Sequence, residues 1–305
     1  MALYLVTGGC GFIGSHLATA LLAAGHTVRI LDDLSSGRRA LASEEAELHI
    51  GSITDPAAVA KAIEHVDGCF HLAAIASVIR SVEDWSGTHA VNLGGTIRLF
   101  EAAAASGIPV VYASSAAAYG EPAALPVDEN SRPWPLTAYG ADKLGCEIQA
   151  RVGGLTRGLR TFGLRFFNVF GPNQDPSSPY SGVIAVFADR VSAGRPLVIY
   201  GDGEQTRDFV YVSDVVRHLI LALPLASTLA PICNVCRGQA VTVRSLATTV
   251  MQACGREVPI HLEPARPGEI RHSVGSTTKA EKLFGTASRV ALIDGLRLLL
   301  AAPPR

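Results

Sequence analysis

Residues 3–26, LYLVTGGCGFIGSHLATALLAAGH, decide how the rest of the chain is read. The apolar run LYLVTGG has strand character and ends in glycines. FIGSHLATALLAAGH then places Ile13, Leu17 and Leu21 at helical spacing and stops at Gly25. Gly8, Gly11 and Gly14 stand three apart across the strand-to-helix turn. A turn that is tight, lets a pyrophosphate touch its backbone and packs helix against strand has no room for a Cβ at those places. The helix N-terminus offers free N–H groups and a positive dipole end to phosphate. Asp32 closes the next strand, TVRILDD, 21 residues after Gly11. A carboxylate there accepts hydrogen bonds from ribose hydroxyls and repels a 2′-phosphate, so NAD is expected rather than NADP.

Outward from this stretch the alternation continues through DGCFHLAA, a helix over roughly 86–106, PVVYASS, a helix from about 138, and RTFGLRFFNV. Apolar strands alternating with helices predict a parallel sheet covered on both faces, the doubly wound Rossmann-type α/β fold. From about residue 171 Pro, Gly and Ser thicken and the alternation loosens. The reading is an NAD-binding domain over 1–166, rejoined around 206–236, and a smaller C-terminal α/β substrate-binding lobe over 167–305. Lys plus Arg (26) nearly cancels Asp plus Glu (27), so no global field favours nucleic acid or a membrane surface. Apolar runs are too short to span a bilayer and no basic leader precedes the first strand, so a cytoplasmic protein is expected. CNVC at 233–236 has no second Cys or His pair, and residues three apart on a strand face opposite ways, so these are read as buried thiols and no metal is expected.

TAYGADK, residues 137–143, sets Tyr139 and Lys143 four apart at the start of a helix, one above the other on the same face. An ammonium favours the phenolate form of a phenol beside it, which suits a general base for a sugar hydroxyl. With 22 Arg to 4 Lys in the chain, a lysine here is poor surface filler. A third hydroxyl is expected at a strand end, where VVYASSAAAYG supplies Ser114 and Ser115.

GGCGFIG, SSAAAYG and YGADK together resemble the extended short-chain dehydrogenase/reductase family. LRFFNVFGPNQDPSSPYSG and YGDGEQTRDFVYVSD resemble its nucleotide-sugar branch, most closely the UDP-hexose 4-epimerases, and the likeness runs from Leu5 to about Leu296. The resemblance implies Ser115, four before Tyr119, as the reacting hydroxyl beside Tyr139 and Lys143. It implies NAD contacts from Phe12, Ile13, Asp33, Ser35, Ser36 and Gly37, from Ser52 and Ile53, from Leu72, Ala73 and Ala74, and from Asn92 and Phe166. It implies a UDP-sugar held by Ser77, Ser115, Asn168, Val183, Tyr200, Arg207, Arg266, Glu269 and Ser273, the two arginines on the diphosphate. Asp33 stands where many relatives have Asn, and Ser52 where an adenine-contacting Asp is usual.

Relatives that dehydrate or decarboxylate carry an acidic residue just after the active hydroxyl; here Ala116 and Ala117 occupy those places and cannot move a proton. Reversible oxidation at the fourth sugar carbon remains, through a transient ketone, with NAD retained between turnovers. The resemblance places Ser273 at a position lining the sugar pocket, where a small residue implies room for N-acetylhexosamines as well as, or instead of, glucose and galactose. Epimerisation of a UDP-uronic acid, or another NAD-dependent step on a nucleotide sugar, stays open, as does a catalytically silent dinucleotide sensor, although such a sensor would not need Tyr139, Lys143 and Ser115. The resemblance also implies a homodimer through the helices near 86–106 and 140–153.

Overall fold

Strand β1 (Leu3–Thr7) enters the middle of a seven-stranded sheet in the computed structural model, which describes residues 1–174, 182–265 and 270–302. To one side of it lie β2 (Thr27–Asp32) and β3 (Glu47–Ile50). To the other lie β4 (Gly68–His71), β5 (Val110–Ser115), β6 (Thr161–Phe166) and the strand Ile232–Val235. The β1–β2, β2–β3, β1–β4 and β4–β5 pairs are all parallel. The chain therefore winds outward to β3, returns across β1 and winds the other way. Every residue of β4 and β6 is buried, as parallel strands under helices on both faces require. The carboxyl ends of β1 and β4, where the winding reverses, form the crevice in which such sheets bind ligands.

Between β3 and β5 the apolar faces of the helices Pro56–Ile63 and Thr96–Ser106 close a core with Leu5, Leu31, Cys69, Leu99, Val110 and Tyr112. The helix expected over 86–106 is in three parts: Trp85–His89, a widened π-type turn Ala90–Gly95, and Thr96–Ser106. The widening has a local cause. Thr96 Oγ1 donates to the Asn92 carbonyl at 2.5 Å, and a hydroxyl on that carbonyl loosens the regular ladder.

The described chain divides into two compact units, 1–118 with 135–165 and 216–233, and 119–134 with 166–215 and 234–305. The second is built from small pieces: parallel Asn168–Phe170 with Phe209–Tyr211, parallel Leu197–Tyr200 with Ile260–Glu263, and antiparallel Thr206–Arg207 with Val241–Thr242. Helices Val183–Ser192, Val243–Cys254 and Leu292–Ala301 pack among them. Gly295 lets the last of these lie against the edge-to-face rings of Phe170 and Tyr211, since a Cβ would stand 2.7 Å from Phe170. RTFGLRFFNV, read as one strand, is two. The break falls at Phe167: its N–H still bonds Val235 O in the neighbouring strand at 3.1 Å, while Asn168 N turns to Asp208 O at 3.0 Å and starts the pairing with Phe209–Tyr211.

Candidate active site

The turn after β1 packs backbone directly on backbone. Gly8 has φ +70°, and a Cβ on it would stand 2.7 Å from Ala73 N in the loop after β4. A Cβ on Gly14 would come 2.1 Å from Gly8 O. The helix Phe12–Ala23 starts at Gly11 with no side-chain cap, so its first N–H groups are open to an anion. Phe12 and Ile13 are its first two residues, both half-buried.

Asp32 ends β2 almost fully buried, its oxygens accepting Cys10 N and Leu34 N, each at 2.9 Å. Burial pushes its carboxyl above the ordinary range, against the pull of those two N–H groups. Gly37 closes over it: a Cβ there would meet Asp32 Oδ1 at 2.7 Å. Asp33 and the following serines are exposed, with Asp33 Oδ1 accepting Ser35 N, so Ser35, Ser36 and Gly37 form a rim around one inward carboxylate. The Cys10 thiol is pushed up to about 11, first by burial and then by Asp32, and is an inert packing group.

The loop Leu72–Ala74 is positioned by a buried hydroxyl chain. Ala73 N donates to Thr7 Oγ1 at 3.2 Å, and Thr7 Oγ1 meets His71 Nδ1 at 2.7 Å. His71 Nε2 lies 2.9 Å from Thr96 Oγ1, which itself donates to Asn92 O. The direction of that last bond makes Nε2 the protonated nitrogen, leaving Nδ1 to accept from Thr7. Burial, helped by the charge of Lys143, lowers the imidazole to about 3 and keeps it neutral. Asn92 is buried with both ends of its amide on Ile75, Oδ1 accepting Ile75 N and Nδ2 donating to Ile75 O, so its side chain shapes the same loop. Ser52 bonds Thr54 through its hydroxyl, and Ile53 is a core side chain against Gly95. Phe166 is buried at the end of β6.

Thr137 caps the helix Ala138–Arg157 through Gly140 N, and Gly140 allows the first turn to sit on Ala117 O, 2.5 Å from where a Cβ would be. Tyr139, half-exposed, is anchored by its N–H on Ser81 Oγ at 3.3 Å, and Ser77 caps the short helix carrying Ser81. Lys143 is buried, its Nζ donating to Ala113 O at 2.9 Å and lying 5.8 Å from the Tyr139 ring centre. The two adjacent serines of β5 part company. Ser114 is buried and donates to Glu147, while Ser115 keeps its oxygen at the strand end, accepting Ala117 N at 3.1 Å. Ala116–Ala118 form a single 3-10 turn carrying only methyl groups.

The second unit brings Asn168, Arg207 and Ser273 together. Asn168 N bonds Asp208 O at 3.0 Å, Arg207 precedes that aspartate, and Ser273 N bonds Thr206 O at 3.2 Å. Asn168 is exposed and the other two half-exposed. Tyr200, 38% exposed, ends its strand with its carbonyl on Gln205 Nε2, and Val183 opens a helix whose N-cap, Gly182, has no side chain to offer. Arg266 and Glu269 lie outside the described residues. The hydroxyl chain of Thr7, His71 and Thr96, and the anchor Ser81, carried no sequence signal beyond polar residues in or beside apolar runs.

The sequence pattern of the NAD dependent epimerase/dehydratase family matches residues 4–236. A UDP-glucose 4-epimerase of Mycolicibacterium smegmatis is 38% identical over 300 residues, covering 96% of this chain and 95% of its own. The UDP-glucose 4-epimerase of Thermotoga maritima, solved with UDP-glucose, superposes with a TM-score of 0.94 at 34% identity over 98% of this chain and 97% of that one. A UDP-N-acetylglucosamine 4-epimerase of Methanobrevibacter ruminantium, solved with UDP-N-acetylmuramic acid, gives 0.93 at 34% identity over the same shares.

Proposed function

This chain belongs to the NAD dependent epimerase/dehydratase family, and we propose that it is a 4-epimerase of UDP-hexoses that keeps NAD bound through turnover. The observation that carries the reading is the placement of Lys143, buried between the Tyr139 ring and the Ala113 carbonyl, one strand residue from Ser114 and two from Ser115. NAD fits the first unit. The Gly8–Gly14 cradle is one that Cβ atoms would fill, the helix behind it has an uncapped N-terminus, and Asp32 offers the only acidic side chain buried at the end of β2.

When bound, NAD supplies the acceptor and donor of the hydride at the sugar's fourth carbon. Tyr139 takes the proton of the 4-hydroxyl and returns one when the carbonyl is reduced on its other face. Ser115 hydrogen-bonds the same oxygen, and Lys143 sets a fixed positive charge 5.8 Å from the Tyr139 ring centre. Ala116 and Ala117 supply no further acid, so the transient 4-ketose keeps its remaining substituents. The second unit holds UDP, with Arg207 and Arg266 on the diphosphate, Glu269 on the ribose, Asn168 on the substrate, and Val183 and Tyr200 near the base.

Ser273 supports a wider substrate range. A small side chain, tied by its N–H to Thr206 O, leaves room where a bulky residue would refuse an N-acetyl group, and a structural neighbour is a UDP-N-acetylglucosamine 4-epimerase. Ile148, Val152 and Leu155 stand exposed along the helix Ala138–Arg157 and support a homodimer through that helix. Six free thiols, five of them buried, support a cytoplasmic setting, and among the described residues no helix is long and apolar enough to cross a membrane. The test is a panel of UDP-sugars incubated with purified protein and no added NAD. Paired epimers should appear from UDP-glucose and UDP-N-acetylglucosamine. Turnover of neither pair rejects the reading, and failure on the acetylated pair alone rejects the wider range.

A further inference from the structure

Glu147 sits one helical turn beyond Lys143, is only 5% exposed, and has no part in the chemistry above. Both of its oxygens are occupied. Oε1 accepts Ser114 Oγ–H at 2.5 Å and Arg165 Nε–H at 2.8 Å, and Oε2 accepts Arg165 Nη2–H at 2.6 Å. Arg165, from β6, is equally buried. A buried ion pair is a poor source of stability, because the cost of removing two charges from water offsets their attraction and an apolar trio of the same volume does as well. What a two-point guanidinium–carboxylate contact supplies is direction, since both N–H bonds are made in one geometry only.

The three partners come from three elements: Ser114 from β5, Glu147 from the helix Ala138–Arg157, and Arg165 from the neighbouring β6. Four residues earlier on that helix, Lys143 reaches Ala113 O, the residue before Ser114. Successive residues of β5 are thus bonded to successive turns of one helix face, and the next residue of the strand is Ser115. We propose that Ser114, Glu147 and Arg165 are positioning residues, a polar clamp that sets the register of the helix on β5 and so holds Lys143 and Tyr139 at the strand end bearing Ser115. This rests on the epimerase reading for its kinetics. Displacement of a reacting group by about 1 Å can cost ~100-fold in rate, which is the scale on which such a clamp acts.

The test uses the NAD-loaded full chain with Ser114→Ala, Ser114→Thr and Glu147→Gln, reading kcat, KM and bound NAD, together with amide exchange over residues 139–147. Ser114→Ala removes one hydroxyl and leaves the ion pair in place. It is expected to lower kcat about ten-fold, with KM and NAD content as in the parent, and to raise exchange across 139–147. Ser114→Thr, which keeps the O–H, is expected to restore both. Glu147→Gln leaves Arg165 short of an anion and is expected to lower kcat further. Parental kcat and exchange in Ser114→Ala overturn the proposal, as does a lower melting temperature with kcat per NAD-loaded site unchanged. If the parent itself interconverts no UDP-hexose, the functional reading fails, and the exchange comparison still decides the clamp.

Discussion

At the scale of single residues, the proposed chemistry falls to Tyr139 and Lys143, and their neighbours bear on it. Lys143 Nζ donates to one carbonyl and lies 5.8 Å from the Tyr139 ring centre, and its charge adds to the burial that keeps His71 neutral. Tyr139→Phe keeps the ring and removes the proton carrier. A steady-state assay should show kcat lower by about 10²–10⁴-fold with KM little changed; parental kcat would remove Tyr139 from the mechanism. His71 gives the pH dependence. Its ordinary value is near 6.5 in the unfolded chain and burial lowers it to about 3 in the fold, so the unfolded state takes the proton first. Its contribution is therefore complete above pH 6.5 and is lost as pH falls from there toward 3, at up to about 1.4 kcal/mol per pH unit. Urea midpoints measured across that window should fall more steeply in the parent than in His71→Gln, and equal slopes would contradict the buried neutral imidazole. Tyr139 and Lys143 were legible in sequence, while the His71 network was not. Thr7 and His71 are 64 positions apart, and the bonds that join them follow from two parallel strands lying side by side.

At the scale of elements, what the sequence displays well is whatever repeats with a fixed period or demands glycine. LYLVTGGCGFIG announces strand, turn and helix because a Cβ at Gly8 or Gly14 has nowhere to go, and the alternation of apolar runs announces the parallel sheet. Departures from period are hidden. RTFGLRFFNV reads as one mostly apolar run, and nothing in it marks Phe167 as the point after which the strand changes partner, Asn168 N turning to Asp208 O. The Ala90–Gly95 turn widens because of a hydroxyl, which no hydrophobic pattern records. Ser114 and Ser115 look alike in sequence and differ only in whether Glu147 is within reach. The loop 33–37 yields a prediction at this scale. Gly37→Val would press on Asp32 Oδ1, and calorimetric titration should show NAD binding at least ten-fold weaker, while the thermal midpoint of the NAD-free protein moves by only a few degrees. Unchanged affinity would take the Asp32 rim out of the dinucleotide site.

For the whole molecule, the sequence shows a change of texture near residue 171 and is read as returning to the first domain around 206–236, where the first unit takes 216–233, but it does not show the stretch 119–134, which joins the second unit while its neighbours join the first. Contacts across such distances leave no local trace. In the second unit Asp208 is the hub. Its buried carboxylate accepts N–H from Arg237, Gly238 and Gly275 at 2.7–3.2 Å, while its backbone carbonyl holds Asn168. Asp208→Asn exchanges an acceptor for a donor among those N–H groups and should raise KM for a UDP-sugar several-fold more than it lowers kcat; the reverse split would detach this unit from substrate binding. Leu155, 73% exposed, belongs to the face proposed for a homodimer; on that proposal the parent sediments as a dimer and Leu155→Asp as a monomer, and a monomeric parent would contradict it. The central claim is that the fourth carbon of the sugar is oxidised and then reduced again without its hydrogen reaching solvent. Turnover of UDP-glucose carrying deuterium at that carbon, in ordinary water, tests it most directly. The account predicts UDP-galactose that retains the deuterium at the same carbon; product bearing solvent hydrogen there, or no galactose epimer from NAD-loaded protein, would contradict it.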